Sequence, residues 1–380
     1  MLAVANGRIL TMEGRTYQKG SILIDQGKIV AVGDHVLIPK GVDVINACGK
    51  VVMPGLIDAH CHLGIAEEIY QVEGDDLNET TNPVTPHLRA LDGINPEDLA
   101  FDDAVQGGVT TVAIAPGSAN VIGGQVVILK TQGHVVDRMI LKEPAGLKIA
   151  LGENPKRSYG DQKKMPSTRM ATAGLLREFF VKAQNYASTP KERDLVLEPI
   201  VQVLKKEMPL HAHAHRADDI MTALRISQEF DMPLIIIHGT EGHKVAEELA
   251  ARSIPVVSGP HLVNRAKVEM KDKTWKTPAL LAQAGVKVAL MTDHPVIPIQ
   301  YLSLCAFLAH RAGMSEENAL RSITINPAEM MGISHRVGSL SEGKDADMII
   351  SSGSILSMES TVETVIINGR VVYQHQGEPA

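Results

Sequence analysis

The chain has 380 residues, of which 44% are apolar, and a formal net charge of −7. This length and apolar content suffice for one large α/β domain and a small accessory one. The acidic balance and the 3% aromatic content argue against nucleic-acid binding, which needs basic patches and stacking platforms. No stretch approaches the roughly 20 apolar residues of a transmembrane helix, so we expect no membrane partner either.

Cysteine usage and the N-terminal sequence bear on the cellular compartment. Three scattered cysteines, Cys48, Cys61 and Cys305, fit a reducing environment better than a disulfide framework. Residues 1–8 lack the basic leader and apolar run of a secretion signal, so we expect a cytoplasmic protein. Cys61 lies between two histidines on an extended segment, so its side chain should face the opposite side and serve in packing.

The two ends of the chain share one pattern of predicted secondary structure. Residues 1–52 and 335–380 contain short alternating strands between Gly-containing turns, among them the Asn368-Gly369 hairpin turn. Neither segment alone has enough strands for a stable core. We therefore predict that both ends build one small β-sandwich domain.

Residues 53–334 alternate instead between strands and amphipathic helices, which predicts a parallel sheet. No Gly-x-Gly-x-x-Gly opens a helix, so a dinucleotide-binding open sheet has no support. Side chains that bind metals end five strands, and such ends converge at the mouth of a closed (β/α)8 TIM barrel. One barrel strand is not placed by the sequence, with Val126–Leu129 and Val135–Ile140 as alternatives. The polar residues 64–95 predict a functional loop over the mouth.

The five strand ends carry the chemistry. His60 and His62 are two apart on an extended segment and therefore project to the same side. A His-x-His pair alone is weak evidence for a metal site, but its position at a strand end strengthens it. Neutral imidazole and carboxylate are common zinc ligands, so we expect one or two divalent ions, with zinc favoured. The segments are Asp58-Ala-His60-Cys-His62, Leu151-Gly-Glu153, His211-Ala-His213-Ala-His215, Ile235-Ile-Ile-His238-Gly and Met291-Thr-Asp293-His294.

The segment Val52-Met-Pro-Gly-Leu-Ile-Asp-Ala-His-Cys-His62 resembles the signature of the amidohydrolase superfamily. The remainder resembles the imidazolonepropionase-related branch of its metal-dependent hydrolases. The resemblance covers essentially the whole chain, since residues 338–348 and 365–372 are similar to the closing part of that family's sandwich. It implies a (β/α)8 barrel flanked by a sandwich made from both termini.

The resemblance also implies a ligand set. His60 and His62 would bind the more buried metal, and an acidic or carboxylated residue from a middle strand would bridge two ions. Glu153 is favoured as that residue because it terminates its strand. Lys148, which lies deeper, is the alternative, because many relatives bridge their metals with a carbamylated lysine. The choice between one and two ions is open.

The remaining ligands follow from the later strands. His213 and His238 align with the family's metal-binding histidines, while the deeper His211 is expected to be a core residue. Asp293 is expected both to bind the metal and to act as the general base and acid for the catalytic water. His238 is assigned a catalytic as well as a metal-binding role, since it or His215 would hold the tetrahedral oxyanion.

Four residues are candidates for substrate binding. His215 follows the ligand histidine, and Arg169 would pair with a substrate carboxylate. Asn120 lies in a turn of small residues after a strand, where backbone can approach a ligand. His243 would either cap a helix or face the pocket. Each of the last three also has an ordinary structural interpretation.

Two reactions are common on the scaffold that the resemblance implies: hydrolysis of amide bonds and hydrolytic deamination. The deaminase branch usually carries His-x-x-Glu near the fifth strand. Here Ala214, Arg216 and Asp218 occupy the positions three beyond the histidines. We therefore expect hydrolysis of an amide, peptide or cyclic amide bond in a small molecule, with a mononuclear deaminase as the alternative. A non-catalytic scaffold is disfavoured because all six ligand positions hold competent residues. Relatives are commonly oligomers, so a homo-oligomer is expected.

Overall fold

Two hydrogen-bonded sheets of eight strands each organise the described part of the chain. The computed structural model describes residues 1–69, 72–189 and 192–376. The first five strands are β1 (Leu2–Leu10), β2 (Thr16–Asp25), β3 (Lys28–Gly33), β4 (Asp43–Asn46) and β5 (Val51–Pro54). The next eight are β6 (Leu56–Cys61), β7 (Val109–Ile114), β8 (Ile122–Lys130), β9 (Ile140–Ala150), β10 (Leu210–Ala214), β11 (Leu234–His238), β12 (Val256–Ser258) and β13 (Val288–Leu290). The last three are β14 (Met348–Ser351), β15 (Val362–Ile367) and β16 (Arg370–Gln374).

The α-helices lie mostly between the strands of the second group and pack on their outer side. A large apolar cluster joins helix residues such as Phe101, Leu176 and Ile220 to outward-facing strand residues such as Leu210 and Ile236. The helices are α1 (Ala100–Gln106), α2 (Glu153–Gly160), α3 (Arg169–Ser188), α4 (Glu198–Leu204), α5 (Ala217–Phe230), α6 (Ala246–Ala251), α7 (Thr277–Gln283), α8 (Leu302–Arg311), α9 (Glu316–Arg321) and α10 (Ile325–Met330). None of the helices described is long and apolar enough to cross a bilayer.

Strands β6 to β13 form a nearly closed eight-stranded barrel, adjacent in the order of the chain. The two edge strands meet near the mouth, where the backbone N–H of Asp293 donates to the carbonyl of His60 at 3.2 Å. Inside the barrel a second apolar cluster includes Ile57, Ile128 and Ile237. The ends of the parallel strands therefore face one common space, as the sequence predicts.

One strand departs from the regular β/α repeat. Strand β8 runs antiparallel to both β7 and β9. Its connections, residues 115–121 and 131–139, are too short to hold a crossover helix, and a parallel pairing would need a dozen or more residues. This strand contains Val126–Leu129, the first of the two placements that the sequence left open. The alternative, Val135–Ile140, contains a 3₁₀ turn and reaches only the first residue of β9.

The second sheet combines both ends of the chain. Its order is β16-β15-β14-β5-β1-β2-β3, with β4 paired to β1. The predicted turn joins β15 to β16, with φ of 51° at Asn368 and 72° at Gly369, values that suit a tight hairpin. Strands from both ends of the chain are thus hydrogen-bonded into one sheet. Its layering as a sandwich domain with boundaries at residues 52 and 335 stays a prediction, and residues 377–380 lie outside the described part.

A buried ionic cluster joins the barrel to the terminal sheet. Lys130, at the end of β8, lies 2.7 Å from a carboxylate oxygen of Asp345 and 2.9 Å from one of Asp347. Lys28 and Arg336 also contact Asp345, at 2.6 and 2.7 Å. Burial disfavours ionisation of Asp345, but the hydrogen bonds from Lys130 and Lys28 outweigh it and lower its pKa to about 2.

Candidate active site

Two groups of potential metal ligands lie at the carboxyl ends of the barrel strands. The first triad is His60, His62 and Asp293, and the second triad is His213, His215 and His238. Within each triad the ligand atoms lie within 4.8 Å of one another, and all six residues are buried. Five of the six residues that the sequence nominated as metal ligands are thus brought together. The sixth, Glu153, is not among them.

The first triad converges on the Asp293 carboxylate. Its Oδ1 lies 3.6 Å from Nε2 of His60 and 3.4 Å from Nε2 of His62. Nδ1 of His62 lies 2.7 Å from the carbonyl oxygen of Ala115, which requires the proton on Nδ1 and leaves the Nε2 lone pair facing Asp293. This is the tautomer that a metal ligand needs.

The second triad is held in a similar way. Nδ1 of His238 lies 3.0 Å from the carbonyl of Gly259, and Nδ1 of His215 lies 2.7 Å from the Thr240 hydroxyl. The rings of His213 and His238 have centroids 4.3 Å apart, and those of His215 and His238 stack at 4.4 Å. Neither ring nitrogen of His213 has a hydrogen-bond partner among the described residues.

Burial keeps these imidazoles neutral. Desolvation is the largest cause that lowers the pKa of His60, His213 and His238 well below the usual range, and it lowers that of His215 to about 3. Neutral imidazole is the form that binds metal ions. These four side chains therefore offer nitrogen lone pairs rather than a cluster of cations.

Lys148 is the alternative to Glu153 as the predicted bridging residue. It is buried, and its Nζ lies 3.0 Å from Nε2 of His60. Burial lowers the pKa of its amine to about 7, although the Asp293 carboxylate opposes this shift. The amine therefore lies against the first triad and loses its proton near neutral pH.

Glu153 lies elsewhere. Strand β9 ends at Ala150, and Gly152, with φ of 89°, turns the chain into helix α2, which begins at Glu153. The backbone N–H of Glu153 donates to the carboxylate of Glu269 at 3.0 Å, and its own carboxylate accepts from the N–H of Glu269 at 3.2 Å. In the sequence, Glu153 was favoured because it terminates its strand. In the structure it lies beyond the end of β9 and outside both triads, whereas the amine of Lys148 lies against the first triad.

Of the four predicted substrate-binding residues, only His215 reaches the second triad and lines the central pocket. Arg169 binds Asp219, with Nε 3.0 Å from Oδ1, and lines a separate surface pocket. Asn120 is buried and donates to the carbonyls of Glu79 and Asn82, which anchors the 64–95 loop. His243 contacts the Thr277 hydroxyl at 2.9 Å. These last three side chains serve contacts within the protein and do not line the pocket.

The central pocket has a volume of about 760 Å³ and opens at the barrel mouth. Leu77 and Asn78 of the 64–95 loop line it, in agreement with the loop predicted over the mouth, of which residues 70 and 71 lie outside the described part. Arg157 of helix α2 and Lys267 of the β12–β13 connection supply positive charge to its wall. Neither cation ends a strand, so the strand-end pattern in the sequence does not identify them.

Backbone strain coincides with the site. His238 and Asp293 have φ of 77° and 56°, which non-glycine residues rarely adopt. His238 has the strand parity of the outward-facing Ile236, and its unusual φ breaks the alternation so that the ring joins the second triad. Such strain is typical of functional positions that surrounding structure holds in place.

Buried apolar and polar side chains behind the first triad fix the two edge strands. Cys61 belongs to the outer apolar cluster, which confirms its predicted packing role. Asp58 accepts the backbone N–H of Thr292 at 3.2 Å and thereby ties β6 to the segment after β13. Burial raises the pKa of Asp58 to about 7 despite these hydrogen bonds.

Comparison with known proteins gives consistent relatives. A family model described as the amidohydrolase family matches residues 51–372. Amidohydrolase tasK of Hapsidospora irregularis is 26% identical over 94% of this chain, which spans only 40% of the length of that relative. The imidazolonepropionase of Phocaeicola vulgatus is 22% identical, and the match covers 92% of each chain. A crystal structure of an amidohydrolase from Thermotoga maritima MSB8 is 44% identical, covers 99% of this chain and 100% of that one, and has a TM-score of 0.96.

Proposed function

Because the chain belongs to the amidohydrolase family, an enzyme family that acts on C–N bonds, we propose that it hydrolyses an amide, peptide or cyclic amide bond of a small molecule. The observation that carries this proposal is the first triad. A carboxylate lies within 3.6 Å of two buried imidazole nitrogens, at the wall of a pocket of about 760 Å³.

The side chains suit divalent metal ions. Buried nitrogens of His213 and His215 have no hydrogen-bond partner among the described residues, and such atoms are costly unless a ligand satisfies them. His60, His62 and Asp293 would hold one ion, and His213 and His238 would hold a second. When bound there, such an ion would lower the pKa of water towards neutrality and would polarise the carbonyl of the substrate. Zinc is favoured by the nitrogen and oxygen donors.

The protein's own residues handle the proton and the substrate. Asp293 accepts the proton of the attacking water and then delivers it to the leaving nitrogen. His238 is the less suitable group for the oxyanion, because its proton lies on Nδ1 towards Gly259 and its Nε2 can only accept. We therefore assign His238 to metal binding. Nδ1 of His215 contacts a hydroxyl that can donate or accept, so its Nε2 is available either to the oxyanion as a donor or to a metal ion as a ligand.

Lys148 is the better candidate for the bridging residue. Its position 3.0 Å from His60 and its amine, which is partly neutral at pH 7, suit reaction with carbon dioxide to give a carboxylated side chain. Elemental analysis of wild type, Lys148→Ala and Glu153→Ala tests this assignment. We expect about two ions per chain in wild type and in Glu153→Ala, and about one or none in Lys148→Ala. Loss of metal in Glu153→Ala alone would return the role to Glu153.

The reaction itself is tested with the metal-loaded full chain. Dipeptides, N-acyl amino acids and cyclic amides are assayed for amine or ring-opened product, and amino-substituted heterocycles for ammonia. The proposal predicts turnover in the first group only, with none after metal removal and recovery on adding the metal back. Ammonia release alone would establish the deaminase alternative, and no metal in the purified protein would reject both. The cytoplasmic location and the homo-oligomer stay predictions.

A further inference from the structure

Glu269 is a buried carboxylate that no strand-end pattern identifies. It lies in the 3₁₀ turn Val268–Met270 of the connection between β12 and β13, and its side chain has 0% exposure. Its Oε2 accepts the backbone N–H of Glu153 at 3.0 Å. Its Oε1 has no hydrogen-bond partner among the described residues. One oxygen of the carboxylate is therefore anchored by a hydrogen bond, and the other is not.

The free oxygen faces two histidines of the second triad. Oε1 lies 3.8 Å from Nε2 of His213 and 3.7 Å from Nε2 of His215. Both nitrogens are buried and lack hydrogen-bond partners among the described residues. The other nitrogen of His215 already contacts the Thr240 hydroxyl, so Nε2 is the available end of that ring. Two unsatisfied buried nitrogens thus lie within 3.8 Å of one unsatisfied carboxylate oxygen.

A hydrogen bond does not account for this arrangement, because the distances exceed 3.5 Å and one proton would satisfy only one pair. A shared cation would satisfy all three atoms. Ligand atoms bonded to zinc at 2.0–2.2 Å lie about 3.3–3.6 Å apart in tetrahedral geometry, so contraction by a few tenths of an ångström would suffice. A cation would also balance the buried negative charge of Glu269. Among the described residues, the ammonium of Lys267 lies 3.7 Å from Oε1 of this carboxylate.

We propose that His213, His215 and Glu269 form a cation site with two histidine ligands and one carboxylate ligand. This inference rests on the proposed function for the presence of divalent metal, and it adds His215 and Glu269 to the residues around the second ion. Such a donor set accepts zinc, manganese or iron. Because Ala266, Lys267 and Met270 of the same connection line the pocket, metal binding at Glu269 would also fix that wall of the pocket.

The test is a cobalt titration of metal-free full-length protein. Cobalt is followed by its visible absorption and by competition with a chelator, for wild type, Glu269→Gln and Glu153→Gln. Glutamine keeps the volume and an oxygen that can accept the N–H of Glu153. The control, Glu153→Gln, removes the carboxylate on the other side of the paired hydrogen bonds between Glu153 and Glu269. We expect Glu269→Gln to weaken one of two sites by at least about tenfold and to leave the other unchanged, while Glu153→Gln titrates as wild type.

A titration of Glu269→Gln identical to that of wild type would overturn the inference. A measurement on wild type alone covers the case in which the variant does not fold: anomalous scattering from crystals grown with zinc. An ion about 2.0–2.2 Å from Oε1 of Glu269 supports the site, whereas an ion held by His213 and His238 beyond the reach of Glu269 rejects it. A single ion at the first triad also rejects this site but leaves the proposed function standing, and no bound metal removes both.

Discussion

A buried polar cluster lies at each end of the barrel, and the two clusters differ in how completely they are satisfied. Lys130 pairs in register with Thr111, near the start of β7, so its ionic cluster lies at the end opposite the mouth. There the ammonium lies within 3 Å of Asp345 and Asp347, so opposite charges compensate each other. At the mouth, buried imidazole nitrogens and a carboxylate oxygen face each other without hydrogen bonds.

The contrast separates structural from functional polar groups. Buried polar atoms are nearly always hydrogen-bonded in folded proteins, so a cluster of exceptions needs an explanation. The backbone gives the same indication. Positive φ at the opposite end serves an ordinary turn at Asn368 and Gly369, whereas at the mouth it occurs at His238 and Asp293, inside the triads. Unpaired buried polar atoms and positive φ values thus occur together where a ligand is expected to bind.

The largest expected effect is that of removing a functional group at the mouth. Asp293→Asn keeps the size of the side chain but removes the proton acceptor, so we expect kcat to fall by about 10²–10⁴-fold. The urea midpoint should stay close to that of wild type, because the Asp293 carboxylate faces the pocket and the first triad rather than the apolar core. Unfolding curves beside steady-state kinetics check both. Full activity in the variant would remove Asp293 from the mechanism.

The opposite end should respond in the reverse manner. Lys130→Met leaves Asp345 and Asp347 buried beside fewer cations, and breaking such a pair costs about 3–5 kcal/mol. Urea denaturation should report this loss, while kcat per folded molecule stays unchanged. The matched control is Lys182→Met, since Lys182 pairs with Glu178 on an exposed helix surface and should contribute about 0.5 kcal/mol or less. A loss of activity at unchanged stability would break the comparison.

Much of the mouth was predictable because its residues obey local patterns. His60 and His62 follow a family signature, and His213 and His238 end strands whose apolar periodicity is clear from the sequence. The barrel was predictable for the same reason, except at β8. There the missing information was the length of two connections, which forced an antiparallel strand into a sheet that otherwise runs parallel.

The remainder depends on the three-dimensional fold. Glu269 lies in a connection with no periodicity, and its position beside the second triad depends on the path of about thirty residues between β12 and β13. Position at a strand end favoured Glu153 over Lys148, but Gly152 turns the chain away after the strand. Arg169 looked free in the sequence and is occupied by Asp219 from another helix. The spacing of residues in the sequence thus identifies candidate site residues. Their contacts in the folded protein determine which of them can bind a ligand.

Acidification should test the ionic cluster at the opposite end of the barrel. The pKa of Asp345 is lowered from 3.8 to about 2 in the folded protein. The stabilisation is therefore complete above pH 3.8, declines as the pH falls through the interval towards 2, and is absent below it. The shift corresponds to about 2 kcal/mol. Urea midpoints measured from pH 5 downwards should show this loss in wild type and a smaller one in Asp345→Asn. Equal slopes would place the acid sensitivity elsewhere.

The smallest expected effect distinguishes two arginines near the mouth by whether they have partners. Arg157 lines the pocket and forms no ion pair with the residues that the structure describes, whereas Arg169 is bound to Asp219. For substrates that carry a carboxylate, Arg157→Met should raise KM about tenfold, equivalent to about 1.4 kcal/mol, with little change in kcat. Arg169→Met should leave both constants unchanged. If KM rises equally for neutral substrates, Arg157 shapes the pocket rather than recognising charge, and the absence of a partner would not by itself identify a binding group.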